Sequence, residues 1–294
     1  MDGIINVLKP PGMTSHDVVV FLRKLLQTKK IGHGGTLDPA AAGVLPLFIG
    51  KATKAIEFFN ETDKEYVAEM VLGITTDTGD SEGNILSKRR VNVDTASIKR
   101  IFTEFVGRIE QIPPMYSAVH YKGQKLYELA RQGLTVERKP RTVEIKSLEL
   151  IYFKDYIVTF RTICSKGTYI RALCEDIGRR LECGAFLSCL VRTRTGSFHI
   201  DDSYTLEEIH RNISNNEAHK MIIPVDKGMA HLPVIELPAI EKNDFYKGKI
   251  LYMENMNREI RGFVRVYSDG IFVGVAEVDT QNKKCYLRIK KTFF

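Results

Sequence analysis

The order of apolar and polar residues predicts a chain of short strands and amphipathic helices. From residue 64 to 72 the two kinds of side chain alternate, which is the period of a half-buried β-strand. The apolar face of this strand consists of Tyr66, Ala68, Met70 and Leu72. Between residues 16 and 28 the apolar positions instead recur at helical spacing. That spacing predicts a helix over 16–28, with Ser15 as its N-cap.

The same patterns divide the rest of the chain into two parts. Residues 32–43 form a glycine-rich loop, and paired β-rich segments at 141–153 and 156–164 precede a helix over 168–181. Adjacent strand pairs with helices beside them predict an α+β fold with a largely antiparallel mixed sheet. Short strands dominate after residue 233. We therefore expect two domains, residues 1–230 and a small β-rich domain at 231–294.

Composition narrows the class of protein. With 44% hydrophobic and 27% charged residues, the chain is typical of a folded globular protein. It contains neither an apolar run of about 18 residues nor a signal-peptide pattern, so we expect a cytoplasmic protein. Five cysteines without a CxxC pair are expected to be buried thiols rather than metal ligands. The net charge of +7 suggests a polyanionic partner.

The most informative segment is GHGGTLDPAAAGVLPLFIGKATK, residues 32–54. Its glycines allow a ligand to approach the main chain. Pro39 restricts the backbone of Asp38 to non-helical conformations, and acidic residues in such loops are often functional. On these local features alone, the favoured interpretation of Asp38 is an Asx-turn that organises the loop.

Five segments in order resemble the TruB family of tRNA pseudouridine synthases. They are KPPGMTS (9–15), GHGGTLDPAAAGVLP (32–46), KEYVAEMVLGITTDTGDSEG (64–83), IPPMYSAVHYKGQKLYELARQG (112–133) and CSKGTYIRALCEDIGRRL (164–181). The resemblance implies the pseudouridine synthase fold with a PUA-like RNA-binding domain at the C-terminus. It also implies guide-independent isomerisation of uridine 55 in the TΨC loop of tRNA. One departure is Gly34, where the family more usually has threonine.

By this resemblance Asp38 is the catalytic carboxylate. Pseudouridine formation breaks the N1–C1′ bond of uridine and forms a C5–C1′ bond. The carboxylate could attack C1′, stabilise an oxocarbenium ion, add to uracil C6 or remove a proton from C2′. The sequence leaves these alternatives open, and each of them requires an ionised side chain.

The resemblance implies two further catalytic residues. Arg171 lies about 100° from the centre of the apolar stripe of its helix, where its guanidinium would bind Asp38 and lower the pKa of the carboxyl. Tyr66 would stack on the target uracil, since a flipped base needs such a platform. By helical spacing alone Arg171 would face solvent, and by alternation alone Tyr66 would be a core residue.

The remaining predicted site residues concern RNA binding. Leu190 would pack on the uracil from another side, and His33 would insert into the T-loop. Lys9, Lys54 and Arg141 are candidate phosphate contacts.

We expect no metal, nucleotide or other cofactor, because no zinc, Walker or dinucleotide motif is present. The expected partner is the T-arm of tRNA, and no obligate protein partner is evident. Two alternatives are a tRNA-binding protein without catalysis and a guide-RNA-dependent synthase of the dyskerin type.

Overall fold

The computed structural model describes residues 1–59, 62–253, 260–281 and 284–293. Within these ranges one mixed sheet of nine strands forms the larger part of the molecule. Its strands are β1 (Gly3–Lys9), β2 (Ile31–His33), β3 (Ala42–Ile49), β4 (Lys64–Leu72), β7 (Gly107–Gln111), β10 (Arg141–Lys154), β11 (Ile157–Cys164), β12 (Ala185–Thr195) and β13 (Phe198–His199). The predicted α+β fold is confirmed.

Helices and two small hairpins flank this sheet. The helices are α1 (Ser15–Leu25), α2 (Ile56–Phe59), α3 (Thr95–Phe105), α4 (Leu126–Arg131), α5 (Ile170–Arg180) and α6 (Leu206–Ser214). The hairpins are β5 (Ile74–Thr76) with β6 (Ile85–Lys88) and β8 (His120–Tyr121) with β9 (Gln124–Lys125). In the part of the chain that the structure describes, no helix is long and apolar enough to cross a membrane.

The alternation along β4 is confirmed, since every second residue from Lys64 to Leu72 is buried. The prediction for α1 was wrong in detail. Thr14, not Ser15, caps the helix through a capping box with Asp17, and the helix ends at Leu25. Ser15 is buried and binds the main chain of Leu37 instead.

A parallel pairing inside the sheet positions the glycine-rich loop. Strand β3 runs parallel to β12, with Ala42 opposite Val191 and Gly43 opposite Arg192. Gly43 has a φ of +113°, and a Cβ there would lie 2.2 Å from the carbonyl oxygen of Arg192, so only glycine fits. Because β12 also pairs with β4, and β4 with β11, the start of β3, the start of β4 and the end of β11 lie at the same end of the sheet.

A second sheet lies in the C-terminal part. Its described strands are β14 (Val234–Glu236), β15 (Leu251–Met253), β16 (Gly262–Ser268), β17 (Ile271–Gln281) and β18 (Lys284–Thr292), and helix α7 (Lys242–Tyr246) accompanies them. Strand β15 was not predicted from the sequence. The predicted domain at 231–294 includes residues 254–259, which lie outside the described ranges.

The second sheet packs against the part of the chain that carries the nine-stranded sheet, through aromatic and polar contacts. The ring centroids of Phe58 and Phe263 are 5.0 Å apart. Lys54 Nζ donates a 2.9 Å hydrogen bond to the carbonyl oxygen of Thr292. This bond gives Lys54 a partner at the contact between the two sheets, which argues against its predicted role as a phosphate contact.

Candidate active site

A cavity of about 350 Å³ opens at the ends of the central strands, where β3, β12, β4 and β11 lie side by side. Four residues predicted from the sequence line it: Asp38, Tyr66, Arg171 and Leu190. They come from the glycine-rich loop, the first turn of α5 and two neighbouring strands. The volume is in the range of small-molecule sites.

The central contact of the cavity is an ion pair between Asp38 and Arg171. Arg171 Nε lies 3.0 Å from Asp38 Oδ2. The arginine side chain is only 5% exposed, whereas the aspartate side chain is 43% exposed. The guanidinium therefore lies beneath the carboxylate, and the carboxylate faces the cavity.

Arg171 also binds two loops in which no catalytic residue was predicted. Its Nη2 donates a 2.7 Å hydrogen bond to the carbonyl oxygen of Tyr116, and its Nη1 donates a 3.2 Å bond to that of Thr78. Asp80 Oδ2 lies 3.5 Å from Nη1. Because all three nitrogens have partners, the guanidinium is held in a fixed orientation. Helical spacing places Arg171 at the edge of the apolar face of α5, but in the folded chain the side chain is buried.

The pKa of Asp38 differs from the expectation. Burial raises the pKa of its carboxyl above the ordinary value, and the Arg171 guanidinium opposes that rise without reversing it. The nearby Asp80 carboxylate adds to the rise. The effect of burial on this pKa is larger than that of the Arg171 guanidinium, because loss of water penalises the charged form of the carboxyl.

Tyr66 is 9% exposed and lies opposite Arg192 across the β4–β12 pair. Burial raises the pKa of its phenol, and the Arg192 guanidinium opposes the rise. The hydroxyl is therefore neutral at physiological pH. Its ring forms one wall of the cavity.

Arg192 was not recognised from the sequence. It is 1% exposed, and Nε, Nη2 and Nη1 donate to the carbonyl oxygens of Val44, Gly35 and Thr36 at 2.8, 3.0 and 3.3 Å. These bonds fix the loop that carries Asp38. The segment RTRT gives no signal of this role, because alternating arginines in a strand usually face solvent.

Lys9 does not contact solvent, which contradicts its predicted role as a phosphate contact. It is fully buried, and its Nζ donates to the carbonyl oxygens of Pro10 and Pro39 at 2.7 and 3.2 Å. Burial lowers the pKa of Lys9 to about 8, against the opposing influence of Asp38. The lysine holds the main chain next to Asp38 and is unavailable to RNA phosphates.

The other predicted RNA contacts are spread around the cavity. His33 ends β2 and is not among the cavity-lining residues, and burial lowers the pKa of its imidazole. Arg141 begins β10, is exposed and lines a neighbouring cavity with Arg138 and Lys139. Sequence reasoning did not predict Lys64 or Ser117, which also line the main cavity.

Gly34, where the family more usually has threonine, packs against two aromatic rings. A Cβ at residue 34 would lie 2.5 Å from the ring of Phe59 and 2.9 Å from that of Phe48. Phe59 is fully buried. The aromatic ring therefore occupies the space that a threonine side chain would need.

Within the described ranges no group of three or more His, Cys, Asp or Glu side chains lies close enough to hold a metal ion. The chemistry available in the cavity is that of a carboxylate held by a guanidinium and flanked by an aromatic ring. Such a carboxylate can act on a sugar carbon or on an electrophilic base.

Solved structures define the class of protein. A chain in a Cbf5–Nop10–Gar1 complex superposes with a TM-score of 0.80 and 29% identity, covering 99% of this chain and 85% of that one. A chain in an archaeal box H/ACA sRNP Nop10–Cbf5 complex gives a TM-score of 0.77 and 27% identity, over 99% and 86%. The fold is that of the pseudouridine synthases.

Family models cover most of the chain. "TruB family pseudouridylate synthase (N terminal domain)" matches residues 23–170. "tRNA pseudouridylate synthase B C-terminal domain" matches residues 171–230, and "Pseudouridine synthase II TruB, C-terminal" matches 233–283. This chain belongs to the TruB family of pseudouridylate synthases.

Individual relatives agree with the family models. The protein named tRNA pseudouridine synthase B of Alkaliphilus oremlandii (strain OhILAs) is 44% identical over 301 residues, covering 100% of this chain and 99% of its own. The protein of that name from Moorella thermoacetica (strain ATCC 39073 / JCM 9320) is 50% identical over 245 residues, covering 81% and 79%.

Proposed function

We propose that this chain isomerises uridine 55 in the TΨC loop of tRNA to pseudouridine, without a guide RNA. The observation that carries the proposal is the 3.0 Å contact between Asp38 and Arg171 at the floor of a cavity of about 350 Å³. Full-length similarity to proteins named tRNA pseudouridine synthase B supports the reaction and the substrate.

Asp38 is the catalytic residue in this proposal. The reaction breaks N1–C1′, turns the uracil and forms C5–C1′, while a proton leaves C5 and another is gained at N1. Asp38 supplies the negative charge, and the buried Arg171 keeps that carboxylate oriented toward the cavity. Orientation of this kind lowers the barrier because the reacting groups are already positioned.

Tyr66 and Leu190 provide the surface for the extruded base. Both line the cavity with Asp38, and a flat aromatic ring offsets the stacking that uracil loses when it leaves the T-loop. His33 remains our candidate for the residue that occupies the vacated space in the RNA. Arg141 remains a candidate phosphate contact, because it is exposed beside other cations.

We also propose the division into a catalytic domain at 1–230 and a PUA-like RNA-binding domain at 231–294. The second sheet begins at β14 and carries its own apolar core. A basic chain of net charge +7 favours binding to an RNA longer than one loop. Since its substrate is tRNA, we place the enzyme in the cytoplasm.

A guide-dependent synthase is the second candidate function. It is favoured by the TM-score of 0.80 to a chain that was solved within a Cbf5–Nop10–Gar1 complex. Purified protein and an unmodified tRNA transcript separate the two candidates, because a stand-alone enzyme needs neither a guide nor another protein.

The decisive experiment measures tritium released from C5-labelled uridine in that transcript. Wild-type protein alone should release about one equivalent per tRNA, and the product should carry pseudouridine at position 55. Asp38→Asn should abolish release and retain tRNA binding. Binding by the wild type without release of label, or release only after addition of a guide RNA, would contradict the proposal.

A further inference from the structure

Ser117 has an unused hydroxyl at the wall of the active-site cavity. The residue is 6% exposed, and among the described residues its Oγ has no hydrogen-bond partner. Ser117 lines the same cavity as Asp38 and Tyr66. A buried hydroxyl without a partner carries a desolvation penalty, so its presence requires an explanation.

The main chain around Ser117 is fixed on both sides. Its N–H donates a 2.9 Å hydrogen bond to the carbonyl oxygen of Met115, and its own carbonyl accepts a 3.1 Å bond from the N–H of Tyr127. The preceding carbonyl, that of Tyr116, accepts a bond from Arg171. The N–H and carbonyl of Ser117 and the carbonyl of Tyr116 are therefore engaged, whereas the hydroxyl of Ser117 has no partner among the described residues.

Two other hydroxyls of the cavity wall are engaged within the protein. Ser165 Oγ accepts a 2.9 Å hydrogen bond from the N–H of Glu144. Thr168 Oγ1 donates a 2.9 Å bond to the carbonyl oxygen of Ser165. Ser117 differs from both of them, because its hydroxyl can form a bond to a bound nucleotide without breaking one in the protein.

We propose that Ser117 Oγ hydrogen-bonds the extruded uridine and so contributes to substrate recognition. The inference rests on the proposed function, since it assumes that the cavity receives this nucleotide. The hydroxyl can reach the ligand by a change of χ1 between staggered rotamers. Uracil offers two carbonyl acceptors and one N–H, and a serine hydroxyl can donate or accept.

Ser117→Ala tests the proposal, because it should lower activity without lowering stability. Loss of one neutral hydrogen bond should lower kcat/KM for tRNA by roughly 3- to 10-fold. The free protein should unfold at the same or a higher temperature, because an unpartnered buried hydroxyl has been removed. A purely structural serine would give the reverse, a lower unfolding temperature with kcat/KM unchanged.

Two further variants separate hydrogen bonding from shape. Ser117→Cys nearly preserves the side-chain shape but offers only a weak donor, so it should be impaired like Ser117→Ala. Ser268→Ala is the matched control: Ser268 is fully buried, its Oγ has no partner in the described ranges, and it lies in β16 of the second sheet. It should leave kcat/KM unchanged.

The results distinguish this inference from the proposed function. If the wild type releases tritium and both Ser117→Ala and Ser117→Cys release it at rates within twofold of the wild type, the role of Ser117 is wrong. The proposed function would remain intact. Wild-type protein that releases no label would instead refute the proposed function.

Discussion

The carbonyl oxygen of Tyr116 accepts a 2.7 Å hydrogen bond from Arg171 Nη2. The same guanidinium holds Asp38 through Nε at 3.0 Å. Arg171 thus joins the loop that carries Asp38 to the segment around residues 113–119, and both the carboxylate and the cavity wall depend on one buried side chain.

We expect Arg171→Lys to be strongly impaired although it keeps the positive charge. A lysine is a point charge without the planar fork, so it cannot bind Asp38, Tyr116 and Thr78 together. Loss of carboxylate positioning should lower kcat by about 100-fold. Single-turnover tritium release measures this effect.

Arg179→Lys is the matched control for Arg171→Lys. Arg179 lies on the same helix and pairs with Asp176, but its side chain is 76% exposed. This substitution should leave kcat unchanged. If Arg171→Lys retained wild-type kcat, the charge alone would suffice and the positioning role would be wrong.

The raised pKa of Asp38 predicts the pH dependence of the reaction. Since the ionised form is required, kcat/KM should fall as pH drops through the pKa of the free enzyme. That fall should be centred above 3.8, the ordinary value for aspartate. Arg171→Gln removes the opposing influence and should move the fall to still higher pH. A profile centred at or below the ordinary value would contradict the burial effect.

The same shift has a consequence for stability. A carboxyl whose pKa is raised in the folded state contributes stability below its unfolded pKa, and this contribution is lost as pH rises through the folded pKa. Asp38→Asn should therefore be at least as stable as the wild type at pH 7. Thermal unfolding at pH 7 tests this, and a clear loss of stability would show that the pairing with Arg171 outweighs burial.

Gly34 and Phe59 should show coupled effects on substitution. Gly34→Thr brings side-chain atoms into the Phe59 ring, since a Cβ would already lie 2.5 Å from it. Overpacking of this kind costs roughly 1–3 kcal/mol. In Gly34→Thr/Phe59→Leu the smaller side chain makes room, so unfolding free energies should show a favourable coupling of about 0.5–3 kcal/mol. Strictly additive effects would contradict the steric explanation.

Much of the fold could be predicted because it depends on local patterns. The alternation from Lys64 to Leu72 determines which face of β4 is buried, whatever lies against it. Asp94 likewise caps α3, and aspartate is one of the residue types preferred at that position of a helix. The contact between Asp38 and Arg171 was inferred from the family resemblance, since spacing alone favoured a solvent-facing arginine.

The errors arise where tertiary contacts decide the outcome. Lys9 looks like a surface cation, but the turn that follows it supplies carbonyl acceptors that bury it. Arg192 depends on the parallel pairing of β3 with β12, which no local pattern reveals. The pKa of Asp38 depends on how much of the carboxyl the folded chain withdraws from water.

The ring of Tyr66, rather than its hydroxyl, should determine RNA affinity. Stacking of a base on an aromatic side chain contributes about 1–3 kcal/mol, and the ring lines the cavity. Tyr66→Leu should therefore weaken tRNA binding by roughly 5- to 150-fold, and Tyr66→Phe should bind as the wild type does. Filter binding of an unmodified transcript measures both. Equal losses in the two variants would assign the binding to the hydroxyl.

Arg141 and Lys54 provide a paired test of which cations meet the RNA backbone. Arg141 is exposed at the start of β10, whereas Lys54 is engaged by the carbonyl oxygen of Thr292. A side chain that neutralises one phosphate contributes about one unit to the slope of log affinity against log salt concentration. Arg141→Gln should therefore reduce that slope by about one unit.

Lys54→Gln should leave the slope unchanged and lower the unfolding temperature, because it removes a contact between the two sheets. The opposite result, a reduced slope for Lys54→Gln and an unchanged slope for Arg141→Gln, would mean that Lys54 leaves the carbonyl oxygen of Thr292 to bind a phosphate. Lys54 would then be the phosphate contact and Arg141 would not.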